Sequence, residues 1–445
     1  MLLLHVAEPL EVTTAPVRSG DRPWYTIRPA ASSTGDRPGR ALADGAAQPR
    51  TTRLDVPPGG PPNADNLFLA NGARFVHALK RYEDAARRSG SASAVKVVGP
   101  NARDRLLQHP ALPRRLGYTP GCDEQFVPLE EQLAQLGARR RLRVAILSIF
   151  HHRYGDAVMS LPLFRELRSR LAARVGSIEI DLLRQEPNAD TERLFLRSGY
   201  VDGIRGLPMS LARFAGYDAY VDFTRRALPA GVPWIDALLE RIAVDPTSVP
   251  LERKRSWLPP DYLEIGRRRH GARLTNMRGD GAPVLLLHPI ARTPDRSMPS
   301  TVATAWITAV LERTDWLVAS VAAPPVRHPR VLDWSALWAG FDDFVYLVSQ
   351  VDAFVSVDTC LYHVADAFDV PGVVLFTTLD PASWIAYYPS TTGVAVPRRA
   401  GDAPLHGKGR GFADEAAGPW GWDRVDVDPL IAVLRRALDQ RRGAR

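Results

Sequence analysis

The alternation of apolar and polar positions is uneven along this chain, and its changes mark out the elements. The sharpest signal begins just after Arg143, where Val144-Ala145-Ile146-Leu147-Ser148-Ile149-Phe150 is a nearly unbroken apolar run of strand length. Such a run is the mark of a central strand buried on both faces. After a polar turn, Val158, Leu161, Phe164, Leu167 and Leu171 recur at spacings of three and four, which predicts a helix over 157–171. A second strand is expected over 177–183. Strand, helix and strand in direct succession form a βαβ unit, which implies a parallel sheet covered by helices. Apolar segments at 203–207 and 219–222 extend that sheet.

The theme then repeats. The pattern predicts strands over 284–288, 316–321, 353–357 and 372–376, helices over 301–313 and 344–350, and a helix opening at Leu361. Between the two series, residues 244–282 are charged and contain proline, and they read as a connection. A closing amphipathic helix is expected over 429–438, with Leu430, Val433, Leu434 and Leu438 on its apolar face. The first third of the chain is weaker. Residues 1–62 hold ten prolines and six glycines and read as a loosely structured extension. Residues 63–140 carry helical patterns at 75–87 and 129–136 and a strand pattern at 95–98. The expected fold class is α/β, in six segments: an extension over 1–62, an accessory segment over 63–140, βα domains over 141–250 and 281–400, a connection over 251–280, and a tail with a helix over 401–445.

Composition narrows the class. With 445 residues, 45% hydrophobic and 24% charged, the chain can bury two or three cores, which excludes collagen-like, wholly disordered and disulfide-framework proteins. Cys122 and Cys360 are too far apart in sequence to make a framework or a metal site, as suits a reducing cytosol. No apolar stretch reaches the length of a membrane span and no export signal is readable, so a cytoplasmic protein is expected. A basic surface could still rest on the anionic leaflet of an inner membrane. The net charge of +8 is almost all arginine, since Lys80, Lys96, Lys254 and Lys408 are the only lysines. A GC-rich genome explains such a bias, but arginine is also shaped for two-point contact with phosphate. The charge is modest for this length and no compact basic motif interleaved with aromatics occurs, so nucleic acid is not an expected partner. Neither G-x-G-x-x-G nor a P-loop follows the first strand of either series, which removes the main support for dinucleotide and P-loop chemistry.

In open parallel sheets ligands gather where strands end and loops enter helices, and three such loops concentrate polar residues. The first is His151-His152-Arg153-Tyr154-Gly155-Asp156. Gly155 permits a sharp turn, and Asp156 is either a helix cap or a general base for an acceptor hydroxyl. The second runs from His288 through Arg292 and Arg296 to Pro299; its two arginines could clamp a diphosphate or simply face solvent. The third is Asp358-Thr359-Cys360-Leu361-Tyr362-His363, after a buried strand. Asp358 or Thr359 can cap the helix, whose first amides would favour an anion. His363 is either a neutral donor to a phosphate or sugar oxygen or a satisfied structural histidine.

Taken in order, these loops resemble glycosyltransferase family 9, the family of the ADP-heptose:lipopolysaccharide heptosyltransferases. Gly155-Asp156-Ala157-Val158-Met159-Ser160-Leu161-Pro162-Leu163-Phe164-Arg165 is similar to its N-terminal Gly-Asp block. The stretch from Val355 to Ala367, continued by Pro371-Gly372-Val373-Val374-Leu375-Phe376 and Asp380-Pro381, is similar to its Asp-Thr-Gly block. The resemblance spans about 141–395. It implies a GT-B fold, two Rossmann-like domains with parallel sheets facing across a cleft, and inverting transfer without a metal or other cofactor. It also implies a nucleotide-sugar donor, ADP-heptose first, and a lipopolysaccharide-core, glycan or protein acceptor. Carried over residue by residue, Asp156 would be the catalytic base and Arg296 the cation on the leaving diphosphate. Asp358, Thr359, the backbone at Cys360 and Leu361, and His363 would hold the donor, with Arg153, Gly155, His288 and Arg292 in the cleft. The sequence departs from the family where Cys360 replaces a glycine and Arg296 a lysine, and where the loop Ala322-Ala323-Pro324-Pro325-Val326-Arg327 lacks the acidic residue that members often place near the nucleoside. A second reading therefore stands beside the first: a GT-B domain that has lost catalysis, binds a nucleotide-sugar or glycan, and serves as an assembly partner.

Overall fold

A computed structural model of the chain describes residues 2–6, 10–15, 24–29, 50–54, 67–70, 73–89, 95–97, 128–136, 140–147, 153–184, 188–223, 231–278, 281–398 and 420–443. Contacts divide the chain into two units. The first comprises 1–152, 164–227 and 239–244, the second 153–163, 228–238 and 245–445.

In the first unit, the apolar run predicted as a central strand is the strand Arg141–Leu147, buried from Val144 to Leu147. It is flanked on both sides by parallel strands, Ala219–Asp222 and Ser177–Arg184, and Gly203–Gly206 completes the sheet. Ser148 to Phe150 lie outside the described residues. The helix Tyr154–Ala172 follows. Its spacing of three and four predicted one buried stripe, yet Ala157, Val158, Ser160, Leu161, Leu163 and Phe164 are all fully enclosed. A helix apolar or small on every side can be buried on every side. Its residues 154–163, with Arg153 before them, group with the second unit.

Residues 1–62 differ from the loose extension that their composition suggests. The strand Leu2–Val6 pairs antiparallel with Leu67–Ala70 and Val95–Val97, and Met209–Ser210 adds to the outer side of Leu67–Ala70. A second sheet places Leu10–Ala15 between Trp24–Pro29 and Arg50–Leu54, with Val12 and Leu54 buried. Composition averaged over 62 residues merges these short β-branched runs with the prolines and glycines between them, so the strands vanish from the average.

The second unit is built on six parallel strands in the spatial order Val331–Asp333, Leu317–Ser320, Val284–His288, Ala353–Val357, Gly372–Phe376 and Thr391–Ala395. Numbered along the chain, this is the doubly wound order 3-2-1-4-5-6. The order reverses between Val284–His288 and Ala353–Val357, the point at which sheets of this order carry a ligand-binding crevice at the carboxyl ends of their strands. The four central strands carry the predicted sequence signals. Val331–Asp333 and Thr391–Ala395 are edge strands, only partly buried, and their patterns are correspondingly weak. One face of the sheet is covered by Ser300–Arg313 and Val427–Gly443, through Trp306, Ile307, Val310, Ile431, Leu434 and Leu438. The stretch read as a connection carries an 18-residue helix, Asp261–Arg278, which packs on the helix Phe341–Ser349. Its Gly266 is pressed against Tyr346, a contact invisible to a reading based on charge.

Candidate active site

The loops on either side of the crevice supply most of the expected residues. His288 ends its strand, buried and edge-on to Phe344 with ring centroids 5.7 Å apart. Burial pushes its pKa down to about 4, and among the described residues its Nδ1 has no side-chain or backbone hydrogen-bond partner. The loop beyond it is tied across its neck: the Met298 amide donates to the Pro289 carbonyl at 2.7 Å. Inside that neck, the Ser297 hydroxyl accepts from the Ala291 amide at 3.0 Å and donates to the Thr293 carbonyl at 3.1 Å. The two arginines of this loop part company. Arg292 is exposed, whereas Arg296 turns inward, its Nη1 donating to Asp358 Oδ2 at 2.7 Å and its Nε to Thr293 Oγ1 at 3.3 Å. Among the described residues nothing bonds its Nη2.

Across the crevice, Asp358 is buried and its second oxygen accepts the Tyr362 hydroxyl at 3.1 Å. Asp358 is therefore not the helix cap. Nor is Thr359: Cys360 holds the capping position, without a side-chain cap hydrogen bond, while the Thr359 Oγ1 before it accepts the Leu361 amide at 3.3 Å and shares a hydrogen bond with Ser356 Oγ at 3.0 Å. The Leu361 amide, expected to face a ligand, is thus already engaged, and the helix Leu361–Asp366 has only six residues. Cys360 is half-buried at its start, and burial pushes the thiol up to about 12.

His363 stands in the same short helix, 3% exposed. Burial pushes its pKa down to about 3, against the opposing pull of Asp156, so the ring is neutral. Its Nδ1 lies 2.7 Å from the Tyr388 hydroxyl.

The helix carrying Asp156 meets this group at Gly155. A Cβ there would stand 3.0 Å from His363 Cδ2 and 3.3 Å from Cys360 Cα. The glycine is needed for close approach and not, as its sequence context suggested, for a sharp turn: it lies within the helix, which opens at Tyr154. Tyr154 stacks on Phe341 with centroids 4.6 Å apart. Asp156 is the third residue of the helix, inside its first turn and past the capping position, and the residue is 8% exposed. Arg153 Nε lies 3.9 Å from its Oδ2. His151 and His152 lie outside the described residues. Asp156, His363, Cys360, Asp358 and Arg296 thus belong to one unit and one neighbourhood.

Comparison with known proteins bears on the same segment. Residues 339–404, which contain the third loop, match the family described as glycosyltransferase family 9 (heptosyltransferase). Over that segment the chain is similar to glycosyltransferase family 9. Glycosyltransferase activity is the enzymatic reading that the family 9 match supports. Solved structures similar to it include the Escherichia coli ADP-heptose lipopolysaccharide heptosyltransferase II, 14% identical, covering 68% of this chain and 100% of that one with a TM-score of 0.47. A family 9 glycosyltransferase from Veillonella parvula is 10% identical, covering 67% and 97% with a TM-score of 0.44. The iron-containing dodecameric glycosyltransferase TibC of enterotoxigenic E. coli is 12% identical, covering 60% and 64% with a TM-score of 0.38. No curated protein sequence matches. Among the described residues, no group of three or more His, Cys, Asp or Glu could hold a metal, and no helix is long and apolar enough to cross a membrane.

Sequence reasoning missed the groups that hold the expected site residues in place: Tyr362 on Asp358, Tyr388 on His363, and Ser256 behind Tyr388. Tyr362 lies four residues after Asp358, a separation a helix-face argument could have caught. Ser256 comes from a segment more than a hundred residues away, with no local signal.

Proposed function

We propose that the protein is an inverting, metal-independent glycosyltransferase that moves a sugar from a nucleotide-diphosphate donor, ADP-heptose first, to a lipopolysaccharide-core, glycan or protein acceptor. The observation that carries this reading is the packing of Gly155 on Cys360 and His363, which sets the Asp156 carboxylate beside the donor loop. Asp156 takes the proton of the acceptor hydroxyl as that oxygen attacks the anomeric carbon. The bond from that carbon to the diphosphate oxygen breaks, and the departing diphosphate carries the electron pair. Arg296, whose Nη2 is unengaged among the described residues, meets that developing charge, and the buried neutral His363 offers a hydrogen bond. Inversion and independence from metal rest on the family resemblance. A bacterial cytoplasm, with at most peripheral contact to the inner membrane, is the setting this substrate class suggests.

The test is incubation of the purified protein with ADP-heptose and a panel of other nucleotide-sugars; absence of both transfer and donor hydrolysis across the panel overturns the reading. Asp156→Asn is expected to lower transfer by at least a hundredfold, on the order of a lost general base, with donor binding retained. Transfer at the wild-type rate would remove Asp156 from that role. The second reading, a binder without catalysis, draws on Cys360 at the family's glycine position and on the existing pairing of Arg296 with Asp358. Tight donor binding with no turnover would favour it.

A further inference from the structure

Behind His363 lies a chain of hydrogen bonds that neither the family 9 match nor the proposed reaction assigns. Tyr388 Oη is 2.7 Å from His363 Nδ1 and 2.9 Å from Ser256 Oγ. Ser256 is itself anchored, its amide donating to Asp366 Oδ2 at 2.8 Å, while Asp366 Oδ1 accepts from Arg255 Nη2 at 2.9 Å and Nε at 3.1 Å. Asp366 and His363 share one helix, so the chain closes on the element where it starts. Tyr388, Ser256 and Asp366 are all buried.

A phenol has one hydrogen, so Tyr388 donates to one neighbour and accepts from the other. If Ser256 donates to Tyr388 and Tyr388 to Nδ1, the neutral imidazole carries its proton on Nε2. The reverse order puts it on Nδ1 and turns a lone pair outward from Nε2. Two observations select the first order. His363 Cδ2, the atom beside Nε2, faces Gly155, and the negative charge of neighbouring Asp156 acts on the ring, which favours an N–H on that edge over a lone pair. Among the described residues nothing bonds Nε2, so its hydrogen is available.

We propose that Tyr388 and Ser256 are positioning residues that hold His363 as the Nε2–H tautomer, so that it meets a phosphate or sugar oxygen of the donor as a hydrogen-bond donor. This rests on the donor-binding reading of His363, but the tautomer is measurable in the free protein. Long-range 1H–15N spectra of the histidine-labelled chain should show His363 protonated at Nε2, with Nδ1 shifted as a hydrogen-bond acceptor. In Tyr388→Phe the Nδ1 resonance should move to that of an unbonded ring nitrogen. Donor affinity, read by calorimetry with ADP and ADP-heptose, should fall by about tenfold, the weight of one hydrogen bond to a charged group, while acceptor KM stays constant. Ser256→Ala should weaken donor binding in the same sense and Ser256→Thr should restore it, which a general loss of structure would not do. A wild-type proton on Nδ1, or Tyr388→Phe and Ser256→Ala variants with unchanged spectra and donor affinity, overturns the proposal. A wild type that binds no nucleotide-sugar but shows the Nε2–H tautomer would sink the function reading and leave the tautomer assignment standing.

Discussion

Gly155 shows how much can rest on the absence of one carbon. Substitution by alanine in a helix ordinarily gains up to about 1 kcal/mol. Here the new Cβ would press on His363, whose ring is held by Tyr388 and cannot slide away, and on the backbone at Cys360. Overpacking of that kind costs about 1–3 kcal/mol. Gly155→Ala should therefore lower stability in urea unfolding and depress transfer together, whereas Gly199→Ala, at an open turn of the first unit with φ +73°, should lower stability alone. The residue-scale lesson about legibility is the same. Asp156, Asp358 and His363 stood out as candidates because their types, in the loops and first helical turns that follow strands, carry chemical meaning. The pairing of Arg296 with Asp358 was not legible, because it joins positions 62 residues apart, and no spacing rule reaches that far.

At the scale of elements, the two strand series and the helices between them were legible because buried strands must be continuously apolar. Edge strands escape that rule, and so Val331–Asp333 and Thr391–Ala395 were missed. The order 3-2-1-4-5-6 lies outside any local pattern, since it depends on which edge of the sheet each crossover returns to. The final helix is an element whose weight can be measured. Leu434 is 1% exposed within the core formed with Trp306 and the strands. Leu434→Ala should cost about 2–5 kcal/mol, read as a fall in the urea midpoint, while Arg436→Ala on the exposed side should leave the midpoint within experimental error.

At the scale of the molecule, buried titratable groups make stability depend on pH. His288 and His363 are held neutral down to about 4 and about 3, whereas in the unfolded chain they bind protons near their ordinary value of about 6.5. The unfolded state therefore binds more protons in that window, and these two groups take stability away as pH falls through it. Asp366 acts in the opposite sense, since burial pushes its carboxyl up to about 6 against the pull of Arg255; the folded state then holds the extra proton between about 4 and 6. Two protons against one leaves a net loss of about 1.4 kcal/mol per pH unit on acidification from 6 to 4. Urea midpoints should fall over that range, and His288→Phe should flatten the slope; an unchanged slope in that variant would remove His288 from the account.

The pairing of Leu2–Val6 has a consequence in time as well as in space. This apolar strand is made well before either of its neighbours, Leu67–Ala70 and Val95–Val97, and the outermost strand of its sheet, Met209–Ser210, comes later still. At about 5–20 residues per second of synthesis, it waits on the order of ten seconds for both immediate partners. During translation it is therefore a bare, adhesive edge on the nascent chain, and a co-translational chaperone has a defined interval in which to shield it.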